Sequence, residues 1–231
     1  MTVKLLNPVV LINGLIFPQV LGSAVYYPHK FLSQHCEFHL LNLPAWATQK
    51  ERLTLLAELF QKLELKECHV IGHSQGGLDG RWLLESPEYR KKILTLTSIN
   101  SPFRGTPVLR YFPWLKQNWS HFYELQETSW KSQEHTPHFC VNSFMHSTDD
   151  LKHLPLFRLV GHRLAKYVGR NDGFLSLESM RLGEEILLSD ADHLASIGWP
   201  LNLGAHLLGA KHPHYFFDAI LKQLKEWEAK R

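Results

Sequence analysis

Residues 68–84 read CHVIGHSQGGLDGRWLL, and the prediction of the fold class starts from this stretch. Its first five residues predict a short buried strand, and residues 78–84 predict a helix that Pro87 ends. Between them, residues 72–76 match G-x-S-x-G, in which a serine occupies a strained strand-to-helix turn that exposes its hydroxyl. Ser74 is therefore a candidate nucleophile. The alternative is a glycine-rich turn that carries a passive serine.

The segments around this turn alternate between strands and helices. β-branched runs at 9–12 and 93–99 predict buried strands, and residues 36–41 predict another. A capping-box pattern at Thr48 and Glu51, followed by leucines at helical spacing, predicts a helix over 49–65. Further strands are predicted at 156–160 and 185–189, and an amphipathic helix over 213–230. This order predicts an α/β fold with a mostly parallel sheet flanked by helices.

The composition is that of one folded domain, 1–231. Hydrophobic residues make up 44% and charged residues 20% of the chain, which is close to the globular average. A net charge of +3 without a run of like charges argues against nucleic-acid binding. Three cysteines without CxxC spacing argue against a disulfide framework and a thiolate zinc site. Among the 15 histidines, only His212 and His214 approach the spacing of metal ligands.

The apolar stretch near the start, residues 8–17, is interrupted by Asn13 and Gly14. It is shorter than the roughly 18 residues that a membrane span requires, so we predict no transmembrane segment. No cleavage pattern of a signal peptide follows it. We therefore expect a cytoplasmic protein, although a mature secreted form with an added Met would look the same.

A serine hydroxyl becomes nucleophilic when an imidazole takes its proton and a carboxylate orients that imidazole. After a serine elbow, the acid and then the histidine lie in loops that follow strands. Asp172, in an Asn-Asp-Gly turn after the predicted strand 156–160, is the candidate acid; the alternative is an aspartate kept for its turn geometry. His193 follows the predicted strand 185–189 and is the candidate base. Three other downstream histidines remain alternatives: His206, His212 and His214.

Four ordered motifs carry a resemblance to a known family. They are GHSQGG at 72–77, SPFRGT at 101–106, NDG at 171–173 and DHL at 192–194. In order and approximate spacing, over roughly residues 8–199, the chain resembles bacterial triacylglycerol lipases of the α/β-hydrolase superfamily. The resemblance implies the α/β-hydrolase fold, with Ser74 as nucleophile, Asp172 as the orienting carboxylate and His193 as base. It implies no cofactor.

The resemblance also implies an oxyanion hole formed by the backbone N–H groups of Leu15 and Gln75. Relatives usually carry His-Gly before the first donor, whereas this chain has Asn13-Gly14. Relatives that bind structural calcium have an aspartate two residues after the catalytic histidine. Because Ala195 stands at that position, a hard cation would lose a charged ligand, and we predict no metal site.

Residues 103–150 are rich in aromatic residues and show no strand pattern. In this superfamily the corresponding position holds a lid, so we predict a short helical cap there. Its apolar residues would line an acyl pocket and would contact a lipid surface. The alternative is a structural subdomain with buried aromatics.

The sequence thus predicts a serine hydrolase that cleaves acyl or lipid esters through an acyl-enzyme, as a lipase or an esterase. A thioesterase or acyltransferase with the same three residues is the nearest alternative. A binding protein on a degenerate hydrolase scaffold is a more distant one.

Overall fold

A computed structural model describes residues 4–14, 27–44, 47–106, 108, 136–198 and 214–231. Its described strands form one six-stranded sheet in the order β2-β1-β3-β4-β5-β6. All five strand pairs are parallel, which confirms the predicted fold class. The strands are β1 (Val9–Ile12), β2 (Phe38–Leu41), β3 (Cys68–His73), β4 (Ile93–Ile99), β5 (His138–Phe144) and β6 (Glu184–Asp190).

Helices connect and cover these strands. They are α1 (His29–His35), α2 (Gln49–Lys62), α3 (Gln75–Glu85), α4 (Pro87–Arg90), α5 (Pro155–Val168), α6 (Leu177–Met180) and α7 (Tyr215–Glu228). Helix α2 begins with the predicted capping box, in which the Thr48 side chain accepts from Glu51 N–H and the Glu51 carboxylate accepts from Thr48 N–H. The helix ends three residues before the predicted position 65.

The sheet has a hydrophobic core on each face. Alternate residues of β1 point to opposite faces, so that Val9 and Val10 belong to different cores. Phe217 of α7 packs into the first core, and Phe60 of α2 packs into the second. Burial on both faces explains why the central strands read as continuous apolar runs. Because the strands are parallel, their carboxyl ends meet at one edge of the sheet, where a site can form.

Two of the predicted elements are wrong. Residues 156–160 belong to helix α5, not to a strand. A five-residue apolar run does not distinguish the two structures, but Pro155 at the first helical position favours a helix. The other error is β5, a fully buried strand inside the segment predicted to lack strands. Its polar residues His138 and Asn142 obscured it. The His138 ring hydrogen-bonds Ser98 Oγ, and Asn142 Nδ2 donates to the Glu185 carboxylate.

The predicted cap at 103–150 therefore shortens, because residues 136–150 supply a sheet strand and the loop that follows it. Residues 107 and 109–135 lie outside the described residues, so a cap over this remainder stays a prediction. Within the described ranges, the structure shows no helix that is both long and apolar enough to cross a membrane.

Candidate active site

Ser74 lies in the sharp turn between β3 and α3, with φ 56° and ψ −126°. A non-glycine residue rarely adopts a positive φ, so this backbone is strained. Three glycines make the turn possible: a Cβ on Gly72 would overlap the Gly76 carbonyl, one on Gly76 would overlap the Ile12 carbonyl, and one on Gly77 would overlap Ser101 Oγ. The glycines of the motif are thus required by close backbone approach, as the sequence predicted.

The structure brings Ser74, His193 and Asp172 into one hydrogen-bonded chain. His193 Nε2 lies 3.1 Å from Ser74 Oγ, and His193 Nδ1 lies 2.6 Å from Asp172 Oδ2. A carboxylate accepts, so Nδ1 carries the proton and Nε2 is left to accept from the serine hydroxyl. All three side chains are buried, with 0% exposure for Asp172. The arrangement can therefore activate the serine for attack on a carbonyl carbon.

Asp172 occupies a loop that follows helix α5, not the predicted strand. Its Oδ1 accepts from the N–H groups of Phe174 and Leu175, at 2.9 and 2.7 Å, and Gly173 has φ 91°. This is the turn geometry that was weighed as an alternative to a chemical role. The Asp172 carboxylate has both roles, because Oδ1 stabilises the turn while Oδ2 faces His193.

The backbone of His193 is also fixed by its neighbours. Its N–H donates to the Asp172 carbonyl at 2.9 Å, and its carbonyl lies 3.0 Å from His73 Nε2 and 2.8 Å from Ser196 Oγ. Burial, together with the nearby His193, lowers the pKa of His73 well below 6.5, so its ring is neutral. Since a carbonyl only accepts, His73 Nε2 carries the proton. The residue that precedes the serine therefore holds the histidine in place.

A charged cluster lies at the carboxyl end of β6. Lys152 Nζ sits 2.5 Å from Asp190 Oδ2 and 3.0 Å from Asp150 Oδ2. Burial alone would raise the pKa of Asp190, but the nearby His153 ring and the hydrogen bond from Lys152 outweigh it and hold that pKa well below its usual range. Asp150, His153 and Asp190 offer ligand atoms within 4.8 Å of one another, as a metal site would. The lysine ammonium supplies a cation between the two carboxylates instead.

Asp192 joins the histidine loop to the segment before α5. One of its oxygens accepts from the N–H groups of Leu194 and Ala195, at 3.1 and 2.9 Å. The other accepts from Leu154 N–H at 3.0 Å. Ala195, which led us to predict no calcium, therefore contributes a backbone donor at this point, and its side chain offers no ligand.

Of the two predicted oxyanion donors, Gln75 is described and Leu15 lies outside the described residues. Gln75 is the first residue of α3, where a backbone N–H has no carbonyl partner within the helix. Asn13 and Gly14 directly follow β1 beside the elbow, since a Cβ on Gly76 would come within 2.8 Å of the Asn13 carbonyl. The strand end that precedes Leu15 thus packs against the serine turn.

The competing histidines do not reach Ser74 where the structure describes them. His214 precedes α7 and stacks on Phe31 with ring centroids 4.4 Å apart. His206 and His212 lie outside the described residues.

Comparisons with known structures agree with this fold. A metagenomic carboxyl esterase superposes with a TM-score of 0.74 at 16% identity, covering 95% of this chain and 76% of that one. Lipase 1 from Pelosinus fermentans superposes with a TM-score of 0.69 at 14% identity, covering 96% of this chain and 99% of that one. The mature Bacillus licheniformis lipase superposes with a TM-score of 0.66 at 14% identity, covering 94% of this chain and 91% of that one. The chain has the α/β-hydrolase fold.

In sequence, this chain is similar to triacylglycerol lipase 2 of Saccharomyces cerevisiae, with 28% identity over 200 residues. That match covers 74% of this chain and 60% of the yeast protein, so the chain spans less than two thirds of its curated relative. No family model matches the chain. The sequence and structure comparisons together confirm the resemblance to lipases and esterases.

One supporting residue of this candidate site was not predicted from the sequence. Arg52 is fully buried, pairs with Asp79 at 2.5 Å, and donates from Nη2 to the Asn13 carbonyl at 3.1 Å. It therefore fixes the end of β1 that precedes the predicted donor Leu15. The sequence does indicate that Arg52 is buried, because positions 52, 56 and 60 share one helical face and the other two are apolar.

Proposed function

We propose that this protein hydrolyses carboxylic esters through an acyl-enzyme formed on Ser74. The proposal rests on one observation above the others: His193 lies within hydrogen-bond distance of both the Ser74 hydroxyl, at 3.1 Å, and the Asp172 carboxylate, at 2.6 Å. A buried chain of hydroxyl, imidazole and carboxylate is the arrangement that activates a serine for acyl transfer.

In the first half of the reaction, Ser74 Oγ attacks the ester carbonyl while His193 Nε2 takes its proton. The resulting oxyanion accepts from the N–H of Gln75 and from the predicted donor Leu15. His193 then returns the proton to the leaving alcohol. Water repeats the sequence on the acyl-enzyme and releases the carboxylic acid. Asp172 stabilises the imidazolium throughout.

The comparisons support an acyl ester as the substrate, including a lipid ester. The curated relative is a triacylglycerol lipase, and the structural neighbours include lipases and a carboxyl esterase. No step in this scheme requires a cofactor.

The decisive experiment is Ser74→Ala, assayed with p-nitrophenyl esters and with a fluorescent organophosphonate. Without the nucleophile, kcat should fall by roughly 10⁴-fold or more, and labelling should disappear. Ser86→Ala, at the other end of α3, is the matched control and should keep both signals. Turnover that survives in Ser74→Ala would overturn the proposal.

Acyl-chain preference separates a lipase from an esterase. A series of p-nitrophenyl esters of increasing chain length, measured with and without detergent micelles, tests this point. We propose that the aromatic segment predicted as a cap lines the acyl pocket, so rates should rise toward longer chains. A maximum at short chains without a response to micelles would identify an esterase for soluble substrates.

A further inference from the structure

Exposed apolar side chains concentrate on one helix. Among the described residues, five large hydrophobic side chains are exposed, and four of them lie between residues 151 and 167: Leu151, Leu156, Leu159 and Tyr167. The fifth, Leu6, precedes β1 at the opposite end of the sheet. A cluster of exposed apolar residues on a folded domain marks an interaction surface.

Helical geometry places three of these residues together. At about 100° per residue, Leu156, Leu159 and Tyr167 fall within roughly 80° of one another around the α5 axis. The buried residues of α5, Phe157 and Leu164, lie on the opposite side. We call the exposed side, with Leu156, Leu159, Arg163, Lys166 and Tyr167, the outer face of α5.

This outer face carries positive charge. The sequence has no Asp or Glu between Leu151 and Arg170, and Arg163 and Lys166 lie beside the exposed leucines. Arg158 of the same helix donates to the carbonyl oxygens of Thr148 and Asp149, so those contacts do not neutralise it with a carboxylate. A helix that combines exposed leucines with cations has the composition of helices that lie in a lipid interface.

The other side of α5 packs on the candidate active site. The Phe157 ring lies 6.1 Å from the His193 ring, and Leu154, directly before the helix, donates to Asp192 in the histidine loop. The outer face is therefore about one helix diameter, roughly 10 Å, from the residues proposed to act on esters.

We propose that the outer face of α5 docks this protein on an anionic lipid surface. The leucines and Tyr167 enter the boundary between head groups and acyl chains, while Arg163 and Lys166 bind head-group phosphates. This deepens the proposed function, because it names an anionic lipid aggregate as the surface on which ester hydrolysis takes place. A second copy of the chain fits the face less well, since a two-fold contact would place the same cations against each other.

The test measures vesicle binding, and it uses Ser74→Ala protein so that no lipid is hydrolysed. Sedimentation with phosphatidylglycerol vesicles should show binding that weakens in 0.5 M salt, roughly as Debye screening predicts. Phosphatidylcholine vesicles should bind markedly less. Because this readout needs no turnover, it stands apart from any failure of the proposed ester hydrolysis.

The apolar contribution is tested by Leu156→Ser combined with Leu159→Ser. Both residues are exposed, so circular dichroism and thermal unfolding should match the parent protein. Partitioning onto phosphatidylglycerol vesicles should fall by about tenfold or more. Leu6→Ser, which removes an exposed leucine at the far end of the sheet, is the matched control and should bind normally.

The charge contribution is tested by Lys166→Glu, with Lys62→Glu as control. Both lysines are in the last turn of a helix, but only Lys166 belongs to the outer face. Lys166→Glu should weaken binding to phosphatidylglycerol at least about fivefold, and Lys62→Glu should not.

Three results would overturn the inference. The first is absence of binding to phosphatidylglycerol vesicles by the parent protein. The second is equal loss of binding in the Leu6→Ser control and the double variant. The third is sedimentation velocity showing a dimer that only the α5 variants dissociate, because the face would then serve self-association.

Discussion

The serine elbow and the histidine loop are fixed by different forces. The elbow lies on β3, inside the sheet, where strained backbone and missing glycine side chains hold Ser74 without any charged partner. The histidine loop follows β6, at the edge of the sheet, where side-chain charges and hydrogen bonds hold His193. Sterics define the position of the nucleophile, and a polar network defines that of the base.

This difference predicts different responses to substitution. A steric arrangement fails abruptly when a single atom is added, because packed backbone cannot move away cheaply. A polar network loses its contributions one at a time, because each ion pair or hydrogen bond is worth little alone.

Among the variants that test how the two regions are held, Gly76→Ala should have the largest effect. The added Cβ would overlap the Ile12 carbonyl, so α3 must move away from β1. We expect a loss of about 3 kcal/mol in the free energy of unfolding, measured in urea, and a fall in kcat of about 100-fold or more, since misplacement by 1 Å has this cost.

Gly169→Ala at the end of α5 is the matched control. Gly169 has φ 68° but no atom within 4 Å of an added Cβ, so it tests backbone strain without overlap. Gly169→Ala should lower the free energy of unfolding by about 1 kcal/mol and leave kcat unchanged. Equal behaviour of the two variants would contradict the steric account of the elbow.

A smaller effect is expected from Lys152→Met, in the segment before α5 that contacts the end of β6. It leaves Asp150 and Asp190 without the ammonium between them. Because the pair is only partly buried, the cost should be about 1–2 kcal/mol. We expect kcat to fall roughly tenfold and hydrogen exchange to increase at 190–198, while the amides of α3 stay protected. Lys152→Arg should keep most of the activity. Increased hydrogen exchange in α3 as well would show that the elbow and the histidine loop are not held independently.

The last prediction concerns the dependence of stability on pH. The folded-state pKa of His73 lies well below 6.5, so below that pH the unfolded chain binds a proton that the folded chain does not. Stability contributed by neutral His73 is therefore complete above pH 6.5 and is lost as pH falls, with a slope of up to about 1.4 kcal/mol per unit. The pKa of Asp190 is also depressed, from 3.8, so its contribution is lost only below about pH 4.

Urea unfolding at pH 7.5, 5.5 and 4 measures this difference. His73→Gln, which can still donate to the His193 carbonyl but does not titrate, should flatten the slope between pH 6.5 and 5. Asp190→Asn should leave that range unchanged. A slope that His73→Gln does not alter would show that the elbow histidine does not contribute to the loss of stability in acid.

Several elements were predictable because local residue type carries them. Gly72 and Gly76 have no alternative at such close backbone approach, and the capping box of α2 is a contact between residues three apart. The strand 93–99 and the fold class follow from β-branched runs alternating with helices. His193 was correctly placed directly after a strand.

The errors came from segments whose identity depends on distant contacts. Residues 156–160 have too few apolar positions to separate strand from helix, and the helical period appears only with Gly161 and Leu164. Strand β5 is polar at His138 and Asn142, whose partners come from other strands. The prediction of Asp172 as the acid relied on a strand before its loop, whereas that loop follows helix α5.

The sequence alone determined the α/β fold class, the elbow and the order of the three candidate catalytic residues, because close packing and turn geometry restrict residue type locally. Only the tertiary structure decided how they are held: His73 against His193, Arg52 against the end of β1, Lys152 between two carboxylates. These contacts join residues far apart in the chain, and their energies depend on burial and distance, which no local pattern encodes.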